Sequence, residues 1–157
     1  MKSTTIYLDM DGTVFNLYGK SNWLELLRTE TAGAFAGDNR MFDEDFYEAV
    51  AALQAEGVQF GVITWLPMQA SPEYAEICRT EKLEWCKQYL PFLTSFVAQP
   101  YGVPKQDAIE KHATTEILID DNEEICKTWA TGEARIAFSA SQNTVTEILY
   151  QILETHA

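Results

Sequence analysis

The sequence has few cysteines, and they are not arranged as in a structural metal site or a disulfide framework. Cys78, Cys86 and Cys126 are an odd number and form no CxxC pair, so we expect reduced, buried thiols. The sequence also lacks an apolar run of the ~20 residues that a membrane-spanning helix needs. Near the N-terminus, the apolar run Ile6-Tyr7-Leu8 is too short to be a signal-peptide core. These absences predict a cytoplasmic protein that makes no membrane contact.

Basic residues are scarce as well. The chain has 11 Lys and Arg against 24 Asp and Glu, a formal net charge of −13. A field of this sign repels nucleic acid, so a broad nucleic-acid-binding surface is not expected. A small phosphorylated ligand remains compatible with it, because a metal ion and a lysine can supply positive charge inside a pocket.

The length and the balance of residue types indicate one globular domain. The 157 residues are 46% apolar and 22% charged, which is enough to bury a core and is typical of a folded chain. We therefore predict a single domain over residues 1–157. His112 and His156 belong to no motif and are predicted to lie on the surface.

Short apolar runs alternate with helical patterns along the chain. Strands are predicted at residues 6–8, 58–63, 92–98, 116–119 and 135–138. Helices are predicted at residues 42–55, 72–90, 123–130 and 144–154, with a short one near Pro104. This alternation predicts an α/β fold, a three-layer Rossmann-like parallel sheet covered by helices. In the long helix after Ser71, the expected buried stripe is Tyr74, Ile77, Cys78, Trp85 and Tyr89.

Residues 17–41 do not fit the alternation. They separate the first strand from its helix and contain only a short helical stretch at residues 23–28. The stretch at residues 29–38 is rich in Thr, Ala and Gly and is expected to be a loop. We predict that residues 17–41 form a small lid over the mouth of a site.

Polar residues follow several of the predicted strands. Asp9, Asp11 and Gly12 come directly after the first strand, and Thr64 ends the second. Lys105 follows the third strand, and the pair Asp120-Asp121 ends the fourth. Ligands in open α/β sheets bind beyond the carboxyl ends of the strands, so these side chains are predicted to form one site. Lys111 is an alternative candidate for the lysine of this site. Lys105 is favoured, because it lies at the helix start marked by Pro104.

This set of side chains suits phosphoryl transfer. Facing carboxylates stay ionised only if a cation joins them, and oxygen ligands near a phosphate favour Mg²⁺. One carboxylate can attack phosphorus while a second protonates the leaving oxygen and later activates water. Thr64 and Lys105 can hold the non-bridging oxygens. Gly12 permits a tight bend that turns backbone amides toward the phosphate.

The run from Asp9 to Val14 resembles the first motif of the haloacid dehalogenase superfamily, and Thr64, Lys105 and residues 117–121 resemble its second, third and fourth. The resemblance implies that Asp9 is the nucleophile and Asp11 the general acid/base. It also implies Mg²⁺ bound by Asp9, by the main-chain carbonyl of Asp11 and by an acid of the last motif. Asp121 is the expected acid, with Asp120 orienting Lys105 or the metal-bound waters. An acid at position 11 implies a phosphatase rather than a dehalogenase or a phosphonatase.

Within that superfamily, residues 118–122 together with Trp129 are similar to the deoxyribonucleotidase branch. The expected substrate is therefore a small phosphorylated metabolite such as a (deoxy)nucleotide. Residues 17–41 are shorter than the helical cap usual in that branch. Trp23 and Trp65 offer flat surfaces and are candidates for substrate specificity.

Two other functions remain open from the sequence. A receiver-like signalling module also gathers acids, Thr and Lys around Mg²⁺, but there the adjacent acids end the first strand and the phosphoacceptor comes from a later one. Here the adjacent pair, Asp120-Asp121, ends the fourth predicted strand, which favours the enzyme. The second alternative is a phosphatase that acts on a nucleic-acid 3′-phosphate end, and the net charge of −13 opposes it.

Overall fold

A five-stranded parallel sheet forms the centre of the molecule. The computed structural model describes residues 2–155, so His156 lies outside the described residues. The strands are β1 (Thr4–Leu8), β2 (Gln59–Trp65), β3 (Ser95–Gln99), β4 (Thr115–Asp120) and β5 (Arg135–Ser139). Their order across the sheet is β3-β2-β1-β4-β5, and every neighbouring pair is parallel.

Over the described residues, five α-helices and one short 3-10 helix accompany the sheet. They are α1 (Trp23–Arg28), α2 (Glu44–Ala55), α3 (Pro72–Tyr89), α4 (Glu123–Trp129) and α5 (Val145–Thr155), with the 3-10 helix at Lys105–Ala108. α3 begins as predicted, because the Ser71 hydroxyl accepts a hydrogen bond from the Tyr74 N–H at 3.2 Å and Pro72 occupies the first turn. Within the described residues, no helix is long and apolar enough to cross a membrane.

Alternation along the strands builds a core on each face of the sheet. In β1, Ile6 and Leu8 join the larger core with α2, α3 and α5, whereas Tyr7 joins the smaller core with Trp129 of α4. The sheet thus lies between two layers of helices, and the predicted three-layer α/β fold is confirmed. The three cysteine thiols are free and buried.

The buried stripe of α3 differs from the predicted one. Tyr74, Cys78 and Trp85 are buried as expected, but Ile77 is 41% exposed. Lys82, which the pattern did not include, is fully buried. The stripe steps from position 74 to 78, 82 and 85, so the lysine occupies a place where an apolar residue would ordinarily pack.

Residues 17–41 pack against α3. Ala34 and Phe35 belong to the larger core, and hydrogen bonds join the rest of the segment to the helix. These bonds run from Ser71 Oγ to Glu30 Oε1 (2.7 Å), from Tyr74 OH to the Thr31 carbonyl (2.9 Å) and from the Gly33 N–H to Glu81 Oε2 (2.7 Å). The segment is therefore fixed to the main domain at several points along α3.

The order of the strands places the site. The chain moves outward from β1 to β2 and β3, then returns to the other side of β1 for β4 and β5. The carboxyl ends of β1, β2 and β4 therefore lie side by side at the point where the order reverses, and ligands bind at such a point in open α/β sheets.

Candidate active site

Asp9 follows β1 at the centre of this edge and is held through both of its carboxylate oxygens. Its N–H donates to the Ile119 carbonyl of β4 at 3.0 Å, which continues the β1–β4 pairing by one residue. Oδ1 accepts a hydrogen bond from Lys105 Nζ at 2.7 Å, and Oδ2 accepts one from Thr13 Oγ1 at 3.1 Å. Asp9 is buried but lines the cavity described below. Its carboxylate therefore has a fixed orientation.

Lys105 joins two of the predicted acids. Its ammonium group donates to Asp9 at 2.7 Å and to Asp120 at 2.8 Å, and its side chain is 1% exposed. Burial alone would lower the pKa of Lys105, but the carboxylates of Asp9 and Asp120 outweigh burial and raise it above its usual range. Lys111, the alternative candidate from the sequence, is exposed.

Asp9, Asp120 and Asp121 form a carboxylate cluster. Each offers an oxygen, and the three oxygens lie within 4.8 Å of one another. Burial, followed by the negative charge of Asp9, raises the pKa of Asp120 to about 6 and that of Asp121 to about 8. Acids whose ionisation is opposed in this way become fully ionised when a cation binds between them. The cluster is thus chemically suited to a divalent cation with oxygen ligands.

The two acids of the last motif differ in how their oxygens are engaged. Asp120 Oδ2 accepts a hydrogen bond from Lys105 at 2.8 Å, and Oδ1 accepts one from the Asn122 N–H at 3.0 Å. Lys105 gives Asp121 no such hydrogen bond, and Asp121 lies against Gly12. Asp121 instead shares a side-chain hydrogen bond with Asp9, so Lys105 pairs directly with Asp120 and not with Asp121, although both acids belong to the cluster.

Gly12 makes room for Asp121. Its φ is +86°, a conformation that side chains disfavour, and a Cβ at this position would lie 2.8 Å from Asp121 Cγ and closer still to Oδ2. The Gly12 N–H donates to the Phe15 carbonyl at 2.8 Å, so this amide is already engaged within its own turn. The predicted contact of Gly12 with phosphate remains a prediction.

Lys82 is a site residue that the sequence pattern did not predict, as is Thr13, whose hydroxyl donates to Asp9. From α3 its ammonium group donates to Asp11 Oδ2 at 3.0 Å, to Thr64 Oγ1 at 2.7 Å and to the Trp65 carbonyl at 2.7 Å. Thr64 is buried at the end of β2, as its predicted position required. The available signal was the place of Lys82 in the α3 stripe, four residues after Cys78 and three before Trp85.

Asp11 lies two residues after Asp9, and only one of its carboxylate oxygens accepts a hydrogen bond from the described residues. Oδ2 accepts the hydrogen bond from Lys82, whereas Oδ1 is buried and accepts none from residues 2–155. Burial raises the pKa of Asp11, and the Lys82 ammonium opposes that rise. Asp11 lines the same cavity as Asp9.

A cavity of about 760 Å³ opens above these acids. Residues 17–41 supply one wall, which includes Tyr18 and Trp23, with their rings packed edge to face at 5.1 Å. The end of β2 and the loop after it supply another part of the lining, where the ring of Trp65 lies 4.9 Å from that of Tyr101. Both tryptophans therefore border the space above the acids.

The comparisons with known proteins support the fold. No protein-family profile matches the sequence, and no curated protein matches it. Among solved structures, D,D-heptose 1,7-bisphosphate phosphatase from Burkholderia thailandensis is similar, with a TM-score of 0.50 and 11% sequence identity. The match covers 98% of this chain and 100% of that one. The chain thus shares its Rossmann-like α/β fold with that structure.

Asp121→Asn should stabilise the metal-free protein at pH 8. Burial and the charge of Asp9 raise the pKa of Asp121 from 3.8 to about 8 in the folded state. Between pH 3.8 and about pH 8, Asp121 therefore takes up a proton when the protein folds. Stability is therefore highest at the acidic end of the interval and falls as the pH rises toward 8. Asparagine carries no charge, so thermal melts of the variant should show a weaker pH dependence and a higher melting temperature at pH 8.

The matched control is Asp107→Asn, which removes an exposed carboxylate from the 3-10 helix. It should leave the pH dependence of the melting temperature close to that of the wild type. Added Mg²⁺ should raise the melting temperature of the wild type and of this control, but not that of Asp121→Asn. A wild-type melting temperature that rises from pH 6 to pH 8 without metal would contradict the argument.

Proposed function

We propose that the protein is a Mg²⁺-dependent phosphomonoester phosphohydrolase that works through an aspartyl-phosphate on Asp9. The observation that carries the proposal is the arrangement of Asp9. Both of its oxygens are oriented by Lys105 and Thr13, and acids that suit a cation lie within 4.8 Å. A buried carboxylate held in this way at the floor of a cavity is arranged to attack an electrophile.

Mg²⁺ suits the residues that are present. Asp9 and Asp121 would hold it with the main-chain carbonyl of Asp11, and Asp120 would orient Lys105. The fit rests on the donor set, since Asp9, Asp120 and Asp121 each offer a carboxylate oxygen and the three oxygens lie within 4.8 Å of one another. Burial, followed by the negative charge of Asp9, raises the pKa of Asp120 and of Asp121, and a bound cation would oppose that rise. When bound, the cation supplies the positive charge that lets an anionic nucleophile meet an anionic phosphate.

The chain's own residues divide the remaining work. An Asp9 oxygen attacks phosphorus, and the bond from phosphorus to the leaving oxygen breaks as Asp11 donates its proton to that oxygen. Asp11, now a carboxylate, takes a proton from water, which attacks phosphorus and breaks the bond to Asp9. Inorganic phosphate leaves, and Asp9 and Asp11 return to their starting forms.

Within residues 2–155, Lys105 and Thr64 each keep a donor that could hold the phosphoryl oxygens. Lys105 has three N–H donors and gives two of them to Asp9 and Asp120, which leaves one. The Thr64 hydroxyl accepts a hydrogen bond from Lys82, so its own hydrogen remains available to donate. Both groups would act on negative charge as it develops in the transition state.

We further propose that residues 17–41 act as the lid of this single-domain enzyme and that the substrate is a small phosphorylated metabolite with a planar ring, such as a (deoxy)nucleotide. A cavity of about 760 Å³ falls within the range for small-molecule sites. Trp23 and Trp65 line the same cavity as the acids, and a base could stack on either ring.

The strand order counts against the receiver-like alternative. Receivers of the flavodoxin-like type have the order 2-1-3-4-5, whereas the order here is β3-β2-β1-β4-β5. No contact among the described residues favours a nucleic-acid end as substrate over a small molecule. The experiment below tests that alternative with an oligonucleotide that carries a 3′-phosphate.

The test is phosphate release from a panel of phosphomonoesters. The panel should contain nucleoside monophosphates, sugar phosphates, a simple alkyl phosphate and an oligonucleotide with a 3′-phosphate. We expect turnover with Mg²⁺, none after chelation, and recovery when Mg²⁺ is restored. If Trp23 or Trp65 stacks on a base, KM for a nucleoside monophosphate should lie ~10- to 100-fold below KM for a sugar phosphate.

Full activity in the presence of chelator would overturn the metal requirement. Equal KM values across the panel would overturn the proposed ring preference while leaving the reaction intact. Preference for the oligonucleotide would replace the small-molecule substrate with a nucleic-acid end.

A further inference from the structure

We infer that Lys82 is a positioning residue for Asp11: its ammonium group holds the Asp11 carboxylate in the orientation from which it serves the leaving group. The inference rests on the proposed function, which gives Asp11 both proton transfers. It adds a residue that lies outside the four motifs, since Lys82 comes from the middle of α3.

The hydrogen-bond count of Lys82 shows how it can act. An ammonium group has three N–H donors, and Lys82 gives them to Asp11 at 3.0 Å, to Thr64 at 2.7 Å and to the Trp65 carbonyl at 2.7 Å. The side chain is 0% exposed, and the ring of Phe35 lies 4.5 Å from Nζ. No donor is left for a substrate, so any effect on the reaction must pass through the residues that Lys82 holds.

The contacts of Asp11 point to the same role. Lys82 fixes Oδ2, whereas Oδ1 accepts no hydrogen bond from residues 2–155. Asp9, by contrast, has both oxygens engaged by Lys105 and Thr13. Among the described residues, Lys82 is thus the side chain that donates a hydrogen bond to the Asp11 carboxylate, so the orientation of this acid depends on Lys82. The two buried lysines therefore serve different acids.

Packing alone does not account for a lysine at this position. Positions 78 and 85 of the same stripe hold Cys and Trp, and an apolar residue at position 82 would complete it. Burying an ammonium group costs several kcal/mol unless it is well paired. The pairing is supplied by Asp11 and by Thr64 and Trp65 at the end of β2, that is, by the site itself.

The experiment compares Lys82→Met with wild type on two esters in the presence of Mg²⁺. An alkyl phosphate has a leaving group that needs a proton, whereas p-nitrophenyl phosphate has one that departs without it. With the alkyl ester, kcat should fall ~10²- to 10⁴-fold, with little change in KM. With the nitrophenyl ester, the first turnover should stay fast while hydrolysis of the phosphoenzyme slows. A burst of nitrophenol equal to the enzyme concentration should therefore precede a slow steady state.

The matched control is Lys87→Met, which removes an exposed lysine from the same helix and should retain wild-type kinetics. A second comparison covers the possibility that Lys82→Met fails to fold. Asp11→Asn/Lys82→Met lacks both charges of the buried pair, and its kcat should equal that of Asp11→Asn alone. This non-additivity is expected only if Lys82 acts through Asp11.

Three outcomes would overturn the role of Lys82. They are an equal loss with both esters and no burst, wild-type kinetics in Lys82→Met, and a further loss of kcat when Lys82→Met is added to Asp11→Asn. A wild-type protein that releases no phosphate from any ester is a different result, because it overturns the proposed function itself.

Discussion

Asp9→Asn should reduce phosphatase turnover at least ~10³-fold, to the limit of detection. Its amide is nearly the same size as the carboxylate but is a very poor nucleophile, so no phosphoenzyme can form. The amide can still accept a hydrogen bond from Lys105, which donates to Asp9 at 2.7 Å in the wild type, so the fold should survive. The measurement is kcat with the preferred phosphomonoester and Mg²⁺, together with a thermal melt.

Phosphoenzyme trapping provides the companion measurement. Acid-quenched wild type incubated with an activated ester should carry phosphate on the peptide that contains Asp9, and Asp9→Asn should carry none. Asp11→Asn should instead accumulate the label, since hydrolysis of the intermediate is slowed. Label on any other residue would assign the nucleophile elsewhere, and residual turnover well above background in Asp9→Asn would exclude covalent catalysis by this group.

Lys105→Met should cost ~3–5 kcal/mol of unfolding free energy in the metal-free protein at pH 8, because breaking a buried ion pair leaves uncompensated charge. Lys105 lies between Asp9 and Asp120, at 2.7 and 2.8 Å, with its own side chain 1% exposed. Its removal leaves two buried carboxylates facing each other. Chemical denaturation at constant pH measures the loss, and activity should fall as well because the site loses a phosphate donor.

The double variant Lys105→Met/Asp120→Asn tests the cause of that loss. It removes one of the two uncompensated acids, so it should recover a substantial part of the stability without recovering activity. Lys111→Met, at an exposed lysine nearby, should change the free energy by no more than ~0.5 kcal/mol. An equal loss in the single and double variants would show that Lys105 stabilises the fold by packing rather than by charge.

The sequence predicted most of the fold because its elements have strong local signals. Ser71 and Pro72 mark the start of α3, and the apolar runs around Ile6, residues 58–63 and residues 117–119 coincide with strands buried on both faces. Parallel pairing followed from the alternation of strands and helices. The predicted strand at residues 92–98 is in fact shorter at its start, since Thr94 precedes β3 (Ser95–Gln99).

The buried lysine was not predictable from its neighbours alone. Periodicity indicates which face of α3 is buried, but it treats a lysine as a surface residue, and Ile77 was therefore preferred for the stripe. Lys82 is buried because Asp11 and Thr64 supply partners from positions 71 and 18 residues away in the chain. These long-range contacts form only in the folded protein, so the hydrophobic pattern of the sequence does not indicate them. The predicted roles of Asp9, Thr64 and Asp121 in catalysis remain predictions.

The attachment of residues 17–41 to α3 limits how this protein could change its substrate. On α3, Glu81 binds the Gly33 amide of that segment, and its neighbour Lys82 binds Asp11. A single turn of helix therefore supports both a cavity wall and an acid of the reactive centre. A segment of different length or sequence that displaced this turn would also move the acid. Leu24 and Met68 line the same cavity and are exposed. Substitutions at these two positions could thus change specificity without loss of rate more readily than exchange of the whole segment.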